Sequence, residues 1–256
     1  MEVHAHTHTE NPPAERPAKK FTHYLWEFVM LFLAVFCGFM AENFREHMME
    51  HQREKQYIRS MIEDLESDTA NLNDVTSGLK LKSLQLDSIL RDFDEGAAAY
   101  NYRWANLFNR SYRAGYPDFF PTDGTIQQLK NSGGLRLIRS EPAAKGIISY
   151  DALVKDFSDE ETILSEAQKK YVDEVMKVWS VKKMYQDAGI TSWTNNRTMI
   201  VKDNYWLTNE PLAKEHVFNC LSNFNEAILR QLMFDSILRK EAMSLIGLLK
   251  KEYQMK

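Results

Sequence analysis

The sequence contains little of the glycine and proline that turn-rich β-proteins use, with only 10 glycines and 7 prolines among its 256 residues. Leucine, lysine, glutamate and methionine, which favour the helical state, are frequent instead. Roughly 210 residues follow the only long apolar run, which is enough for one sizeable domain with its own core. The composition therefore predicts an all-α fold.

Cysteine is also scarce, since the chain has only Cys37 and Cys220. The first lies inside the apolar run and the second in a distant helical pattern, so we do not expect them to pair. The cysteine content neither requires nor excludes an oxidising compartment.

An excess of positive charge is missing as well, because the formal net charge is −4. A protein that binds nucleic acid needs a basic stripe to neutralise phosphates, and the sequence has none. Charge therefore argues against nucleic acid as a partner, and we expect none.

The only long apolar run is YLWEFVMLFLAVFCGFMA, residues 24–41. As a helix, its about 18 residues would be roughly 27 Å long, enough to cross the hydrocarbon core of a bilayer. A cleaved signal peptide is one alternative, but cleavage at the end of the run would put Phe39 where a small residue is required. A buried core helix is the other. We expect an uncleaved transmembrane helix over residues 23–42, with Glu27 and Asn43 at its edges.

The charges that flank this run bear on its orientation. Lysine and arginine are equally frequent on its two sides, but Lys19 and Lys20 lie closest to it and have no acidic neighbours. This asymmetry favours a cytoplasmic N-terminus. Residues 1–22, which contain three prolines and alternating histidines, are predicted to form a disordered tail. Residues 43–256 then form an extracytoplasmic helical domain.

Three blocks of apolar residues at a spacing of seven follow the run. Their rows are Ile58, Leu65, Leu72, Leu79, Leu86 and Phe93, then Tyr150, Phe157, Leu164, Tyr171, Val178 and Tyr185, and finally Val217, Phe224, Leu238 and Leu245. Such rows are typical of helices that pack against one another. The first block is partly polar in its middle, around Thr76 and Ser83, and Gln231 and Asp235 interrupt the third.

Helix-terminating residues suggest where these blocks begin and end. No proline interrupts residues 22–95, so the transmembrane helix is predicted to continue through the first block, with Gly78 as its softest point. Ser140 is a good N-cap for the second block and Gly189 a natural C-cap. The third block begins near Pro211.

Three blocks of similar length predict an antiparallel bundle of three to four helices. In that arrangement residues 94–140 form a small aromatic cap at the distal end, and residues 189–209 turn back near the membrane. Trp193, Tyr205 and Trp206 in this proximal turn either contact lipid headgroups or close the base of the bundle.

The predicted cap has the densest group of aromatic residues in the chain. The candidates for a partner surface are Tyr102, Trp104, Phe108, Tyr112, Phe119 and Phe120. Such residues are enriched in interfaces, but they also fill small cores. Both interpretations remain open from the sequence.

Only one motif suggests catalysis: His47, Glu50 and His51 fit the pattern H-x-x-E-H of some zinc hydrolases. Two histidines four residues apart on a helix can share a metal ion, but a third ligand and a walled cleft are also needed. The motif lies on a charged helix just beyond the membrane, and no further histidine follows until His216. We therefore predict neither a metal site nor a cofactor, and no enzymatic activity.

Two stretches resemble an uncharacterised family of single-pass membrane proteins, found mainly in Bacteroidota, that carry a domain of unknown function. The matching residues are Glu27, Ala34 and Gly38 in the span, Asn43, Phe44 and Glu46 at its exit, and the segment LKNSGGLRLI, residues 129–138. This chain has Phe44 where the family usually has tryptophan. The resemblance implies an inner-membrane anchor with the helical domain in the periplasm, and it implies no activity.

These patterns favour a non-enzymatic, membrane-anchored interaction or scaffold protein that binds a protein partner or a second copy of itself. A periplasmic ligand-sensing module that signals through a separate partner is the alternative. A metalloenzyme that uses the H-x-x-E-H motif is a third hypothesis, which the missing ligand disfavours.

Overall fold

The structure, a computed structural model, describes residues 17–94, 102–187, 205–208 and 210–255, with side chains from residues 21–92 and 104–186 in the first two ranges. The elements are α1 (Pro17–Asp94), α2 (Tyr102–Arg113), α3 (Gly124–Asn131), a 3₁₀ turn (Gly134–Leu137), α4 (Glu141–Val178), α5 (Val181–Asp187) and α6 (Pro211–Glu252). These ranges contain no β-strand, so the predicted all-α class is confirmed.

α4 and α6 begin where the sequence predicts, whereas α1 begins at Pro17, within the 1–22 range that was predicted to be a disordered tail. α1 runs without a break through Gly78, because no proline interrupts its hydrogen bonds. Ser140 caps α4 by accepting a hydrogen bond from the backbone N–H of Ala143. Pro211 is the first residue of α6. At such a position the missing N–H of proline costs nothing.

The chain divides into two compact units, the first ending at Arg53 and the second beginning at Glu54. The described part of the first unit is helix alone. It contains one 18-residue window that is long and apolar enough to cross a membrane, and none of that window is buried. Phe28, Phe32 and Phe36 stack along one face, with ring centroids 6.5 and 6.1 Å apart. This confirms one candidate span near the N-terminus.

The rows at a spacing of seven form the core of the second unit. Buried members are Ile58, Leu65, Leu72, Leu79 and Leu86 of α1, Tyr150, Phe157, Leu164, Tyr171 and Val178 of α4, and Val217, Phe224, Leu238 and Leu245 of α6. The side chain of Phe93 lies outside the described residues. Because the α1 row packs against the rest of its own chain, it is not available to a second copy.

Contacts with α1 define the direction in which the remaining segments run. Trp104 donates a hydrogen bond from Nε1 to the carbonyl of Ile89 at 3.2 Å, whereas the N–H of Arg139 donates to Glu54 at 2.7 Å. We call these two places the Ile89 end and the Glu54 end. Residues 102–139, the return segment, thus run antiparallel to α1 along most of its length in this unit.

The two long helices α4 and α6 complete the unit and pack against each other along their lengths. α4 begins at the Glu54 end, where Ser140 donates to Glu252 of α6 at 2.7 Å. It ends at the Ile89 end, where Trp179 meets Phe108 with centroids 5.0 Å apart. α4 is therefore parallel to α1, and α6 is antiparallel to both.

This chain path corrects the predicted topology. Residues 94–140 were expected to cap one end, but the described part of them returns along α1 to the Glu54 end. The described part of the 189–209 connection lies at the Ile89 end, since Trp206 meets Phe108 at 5.6 Å. Trp193 and Gly189 lie outside the described residues. The prediction differs from the structure because the return segment is itself an antiparallel element. Every later helix therefore runs in the direction opposite to the predicted one.

α4 ends earlier than its apolar row predicts. Trp179 takes an extended conformation, with φ −119° and ψ 124°, and pairs antiparallel with Trp206. The N–H of Ser180 donates to the carbonyl of Tyr205, and the N–H of Leu207 donates to the carbonyl of Val178, both at 2.7 Å. These hydrogen bonds to the later segment replace the next helical turn, so the row continues only through the separate helix α5.

Gly78 allows the return segment to approach α1 closely. A Cβ atom added at Gly78 would overlap the ring of Pro117. The rigid pyrrolidine ring cannot rotate away as a long side chain would. The residue that the sequence suggests as a soft point of the helix is therefore a close-packing position.

We expect Gly78→Ala to destabilise the second unit by about 1–3 kcal/mol, because overpacking outweighs the gain in helix propensity of about 1 kcal/mol. Gly247→Ala is the matched control, since its Cβ would meet nothing within 4 Å. Chemical denaturation of the full chain in detergent, followed by circular dichroism, measures both variants. Stabilisation by both substitutions would contradict the close packing of Pro117.

Candidate functional site

The predicted partner surface is largely buried. Trp104, Phe108, Tyr112 and Phe119 are at most 5 % exposed, whereas Phe120 is 75 % exposed. The side chain of Tyr102 lies outside the described residues. For the four buried residues the structure favours the core alternative, because a buried ring cannot meet a partner.

Phe108 is the centre of this aromatic cluster. Its ring lies 5.0 Å from those of Trp104 and Trp179, 5.6 Å from Trp206 and 6.2 Å from Phe218. These rings come from α2, from α6 and from both sides of the connection between α4 and α6. Large rings fill the gap between several helix ends better than aliphatic side chains do. Tyr205 is also buried here, which favours a packing role over the alternative that Tyr205 and Trp206 contact lipid headgroups.

The H-x-x-E-H residues lie on the exposed part of α1 before Glu54. Nδ1 of His47 is 3.8 Å from a carboxylate oxygen of Glu50. Within the described ranges no group of three or more His, Cys, Asp or Glu residues could hold a metal ion. At the predicted span edges, Glu27 and Asn43 are both exposed on α1, and their role stays a prediction.

A polar feature that the sequence did not indicate holds the return segment to α1. Lys82 is buried, and its ammonium group donates to the carbonyls of Ser111, at 2.6 Å, and of Ala114. These carbonyls close the C-terminal end of α2, where helical carbonyls lack partners in the helix. Burial, and then the charge of Arg110, lowers the pKa of Lys82 to about 8.

Carboxylates of α1 hold the rest of the return segment by its backbone. Asp68 accepts from the N–H of Thr122 at 2.7 Å, and Asp64 accepts from the N–H of Thr125 at 3.2 Å, inside the first turn of α3. Glu54 accepts from the N–H of Arg139. Together with Lys82, these three carboxylates form the α1 clasp. α3 therefore receives its N-terminal cap from another helix.

The polar interruptions of the first and third blocks meet between α1 and α6. Thr76 donates to one carboxylate oxygen of buried Asp235 at 3.1 Å, and Gln231 donates to the other at 3.3 Å. Burial raises the pKa of Asp235 to about 6, although both hydrogen bonds act in the opposite direction. Within the described part of the chain, the side-chain carbonyl of Gln231 has no hydrogen-bond partner.

A cleft of about 470 Å³ opens beside this region, between α4 and the residues that follow α2. Its lining includes the carboxylates of Asp118, Glu161 and Glu166 and the rings of Tyr116 and Phe120. The remaining lining residues are Gly115, Ser158, Thr162, Ser165 and Gln168. The cleft therefore combines acidic and aromatic side chains.

Glu161 lies where the cleft meets the return segment. It accepts a hydrogen bond from the N–H of Phe119 at 3.1 Å. Burial raises its pKa to about 7; the Phe119 hydrogen bond lowers it, and the charges of Asp118 and Asp235 raise it further. Burial also raises the pKa of Tyr116 to about 12. A carboxyl group that titrates near neutrality in a cleft is characteristic of functional sites.

Comparisons with protein-family models, with curated proteins and with solved structures found no match for this chain. The resemblance to the Bacteroidota membrane-protein family stays a prediction.

Replacing the buried ammonium should loosen the return segment. We expect Lys82→Met to destabilise the second unit by about 1–3 kcal/mol, because the carbonyls at the end of α2 lose their buried donor. Lys80→Met, two residues away on the exposed surface, should stay within about 0.5 kcal/mol of the parent. Denaturant unfolding of both full-length variants measures the difference. Equal effects of the two substitutions would contradict the clasp.

Stability should fall as the pH rises. Folding raises the pKa of Asp235 from 3.8 to about 6 and that of Glu161 from 4.5 to about 7. Over this range the folded chain holds more protons than the unfolded chain, so the free energy of unfolding decreases with increasing pH. Unfolding midpoints at about pH 5 and about pH 7.5 measure the effect.

Asp235→Asn should remove part of this pH dependence and raise stability near neutral pH by on the order of 1 kcal/mol. The new amide group can also donate to the unpaired carbonyl of Gln231. Asp156→Asn, which changes an exposed carboxylate of α4, should keep the parental pH dependence. An Asp235→Asn variant with an unchanged slope would contradict the role of this buried carboxyl group.

Proposed function

We propose that this protein is a non-enzymatic, membrane-anchored helical interaction protein whose working surface is the exposed face of α6. The second unit is then a helical bundle outside the membrane, held by the span in α1. The proposal keeps the partner-binding hypothesis from the sequence but moves the surface away from the buried aromatic cluster.

The observation that carries the proposal is a row of exposed apolar side chains on α6. Leu229, Met233 and Ile237 are 53 %, 55 % and 41 % exposed and lie four residues apart, so they share one face of the helix. Exposed Glu226 and Lys240 flank the row on the same face. An apolar row with opposite charges at its ends suits an antiparallel helix that carries the complementary charges.

α1 also carries two exposed leucines at the level of this row. Leu81 and Leu84 are 64 % and 63 % exposed. They lie between Thr76 and Asp87, whose α6 partners are Asp235 and Asn225, so they are level with the apolar row. Exposed apolar side chains on both helices support an interaction role for this level of the unit.

The location of the protein follows from the anchor. We propose a single-pass protein of the inner membrane with a cytoplasmic N-terminus and the helical unit in the periplasm. The Lys19–Lys20 pair supports this orientation, and the family resemblance supports the compartment.

Site-specific photo-cross-linking in native membranes tests the interaction surface. A photoreactive residue at Leu229 should give a defined cross-linked product, whereas one at exposed Lys169 on α4 should not. Met233→Glu should abolish the Leu229 product, because it places an unpaired charge in the interface. The mass of the product distinguishes a second copy from another protein. Equal cross-linking from Leu229 and Lys169, or none from either, would contradict the proposal.

The cleft favours a second candidate function, a ligand-binding module that acts through a separate partner. Its volume falls within the range of small-molecule sites, about 300–1,000 Å³. Its walls come from the return segment and from α4, so an occupant would link the two. A ligand that binds only the folded form raises the unfolding temperature of the full chain.

A further inference from the structure

We propose that the cleft between α4 and the return segment binds a small organic cation that carries alkylammonium groups. This inference rests on the ligand-binding candidate and is independent of the interaction surface on α6.

The charged side chains in the cleft wall all have the same sign. Asp118, Glu161 and Glu166 line it, and among the residues that the structure describes no lysine, arginine or histidine does so. Carboxylates gathered in one cleft reinforce one another's negative potential, which raises the local concentration of cations. Such a site repels anions and attracts cationic ligands.

The spacing of these carboxylates favours an organic cation over a metal ion as the ligand of the cleft. A metal ion needs ligands that converge on one point, and no described group of three acidic residues, histidines or cysteines does so. Glu161 and Glu166 are five residues apart on α4, which corresponds to about 7.5 Å along the helix axis. Charges spread over this distance match a ligand whose own charges are separated by methylene groups.

The aromatic rings support the same class of ligand. Phe120 is 75 % exposed although the neighbouring Phe119 is buried, and it lines the cleft together with Tyr116. An aromatic face attracts ammonium groups through its quadrupole and also covers the methylene groups between them. A chain of methylene-linked ammonium groups uses both properties, whereas a hydrated inorganic ion uses neither fully.

Glu161 couples ligand binding in the cleft to the protonation of its own carboxyl group. It faces Asp118 in the cleft wall and Asp235 of α6, and both charges raise its pKa. A bound cation favours the ionised form of Glu161. If Glu161 is protonated in the empty cleft, binding therefore releases its proton. Affinity should therefore rise between about pH 6 and pH 8.

Spermidine is a suitable probe, and isothermal titration calorimetry on the full-length protein in detergent micelles measures its binding. We expect saturable binding of spermidine. Mg²⁺ added at the same ionic strength as the spermidine should not abolish this binding. Phe120→Ala should weaken binding about threefold or more, in line with a cation–π contribution of about 0.5–1 kcal/mol. Glu166→Gln should also weaken it, whereas Asp156→Asn, outside the cleft, should bind as the parent does.

Glu161→Gln separates a binding role from a structural one. The new amide still accepts the hydrogen bond from Phe119. Because the substitution also removes a carboxyl group whose burial in the ionised form is unfavourable, this variant should be more stable than the parent near neutral pH. It should nevertheless bind spermidine more weakly. A loss of binding that only accompanies a loss of stability would overturn the proposal. So would equal binding by the cleft variants and Asp156→Asn, or complete competition by Mg²⁺.

A thermal-shift assay with spermidine and with a panel of uncharged and anionic metabolites distinguishes failure of the cation assignment from failure of the ligand-binding candidate. A rise in unfolding temperature with an uncharged or anionic compound, but none with spermidine, would overturn the cation assignment and leave the ligand-binding candidate in place. No rise with any compound would overturn both, and the cross-linking result at Leu229 would be unaffected.

Discussion

The fold of the second unit depends on the α1 clasp, the four charged side chains, three of them buried, through which one helix holds the backbone of the return segment. Lys82 binds the end of α2, Asp68 and Asp64 bind the chain as it enters α3, and Glu54 binds it just before α4. Each group satisfies backbone atoms at a helix end or in a loop that would otherwise be buried without a partner. The return segment has only 8 to 12 residues in each of its α-helices. Helices this short are marginal alone, so contacts with α1 stabilise them.

The clasp also explains why the later helices lie where they do. The return segment brings the chain back to the Glu54 end, and α4 starts from there with its capping serine bonded to α6. At the centre, the contact of Thr76 with Asp235 favours one register between α1 and α6, because a shift of either helix would cost the buried carboxylate the donor that α1 supplies. The cleft lies beside this polar contact, and the pKa of Glu161 responds to Asp235.

Much of the fold is predictable from the sequence, and the errors have physical causes. Apolar spacing identified the three long helices, and Ser140 correctly marked the start of α4, because both signals are local. The topology was wrong because α2 and α3 are too short to give a periodic row, and the groups that fix them are charged residues of α1. In a sequence, Lys82 and Asp68 look like ordinary surface residues of a helix.

The candidate site was less predictable than the fold. The aromatic density at Trp104 and Phe108 was visible, but whether these rings face solvent depends on Trp179 and Phe218, which are distant in sequence. The cleft combines residues 115–120 with α4, so no short motif marks it. The sequence offered one signal, because Phe120, which lines the cleft, was among the candidate surface residues.

The buried carboxylate of Glu54 has a consequence for how the protein is made. It accepts a hydrogen bond from the hydroxyl group of Tyr253, a residue 199 positions later in the chain. Glu54 leaves the ribosome early, whereas its partner is among the last residues described. Until Tyr253 is made, this carboxylate lacks the donor from its hydroxyl group, although Arg139 is already available to donate to it. The Glu54 end is therefore completed last, and a chain that stops short of Tyr253 leaves this buried carboxylate without the hydroxyl donor.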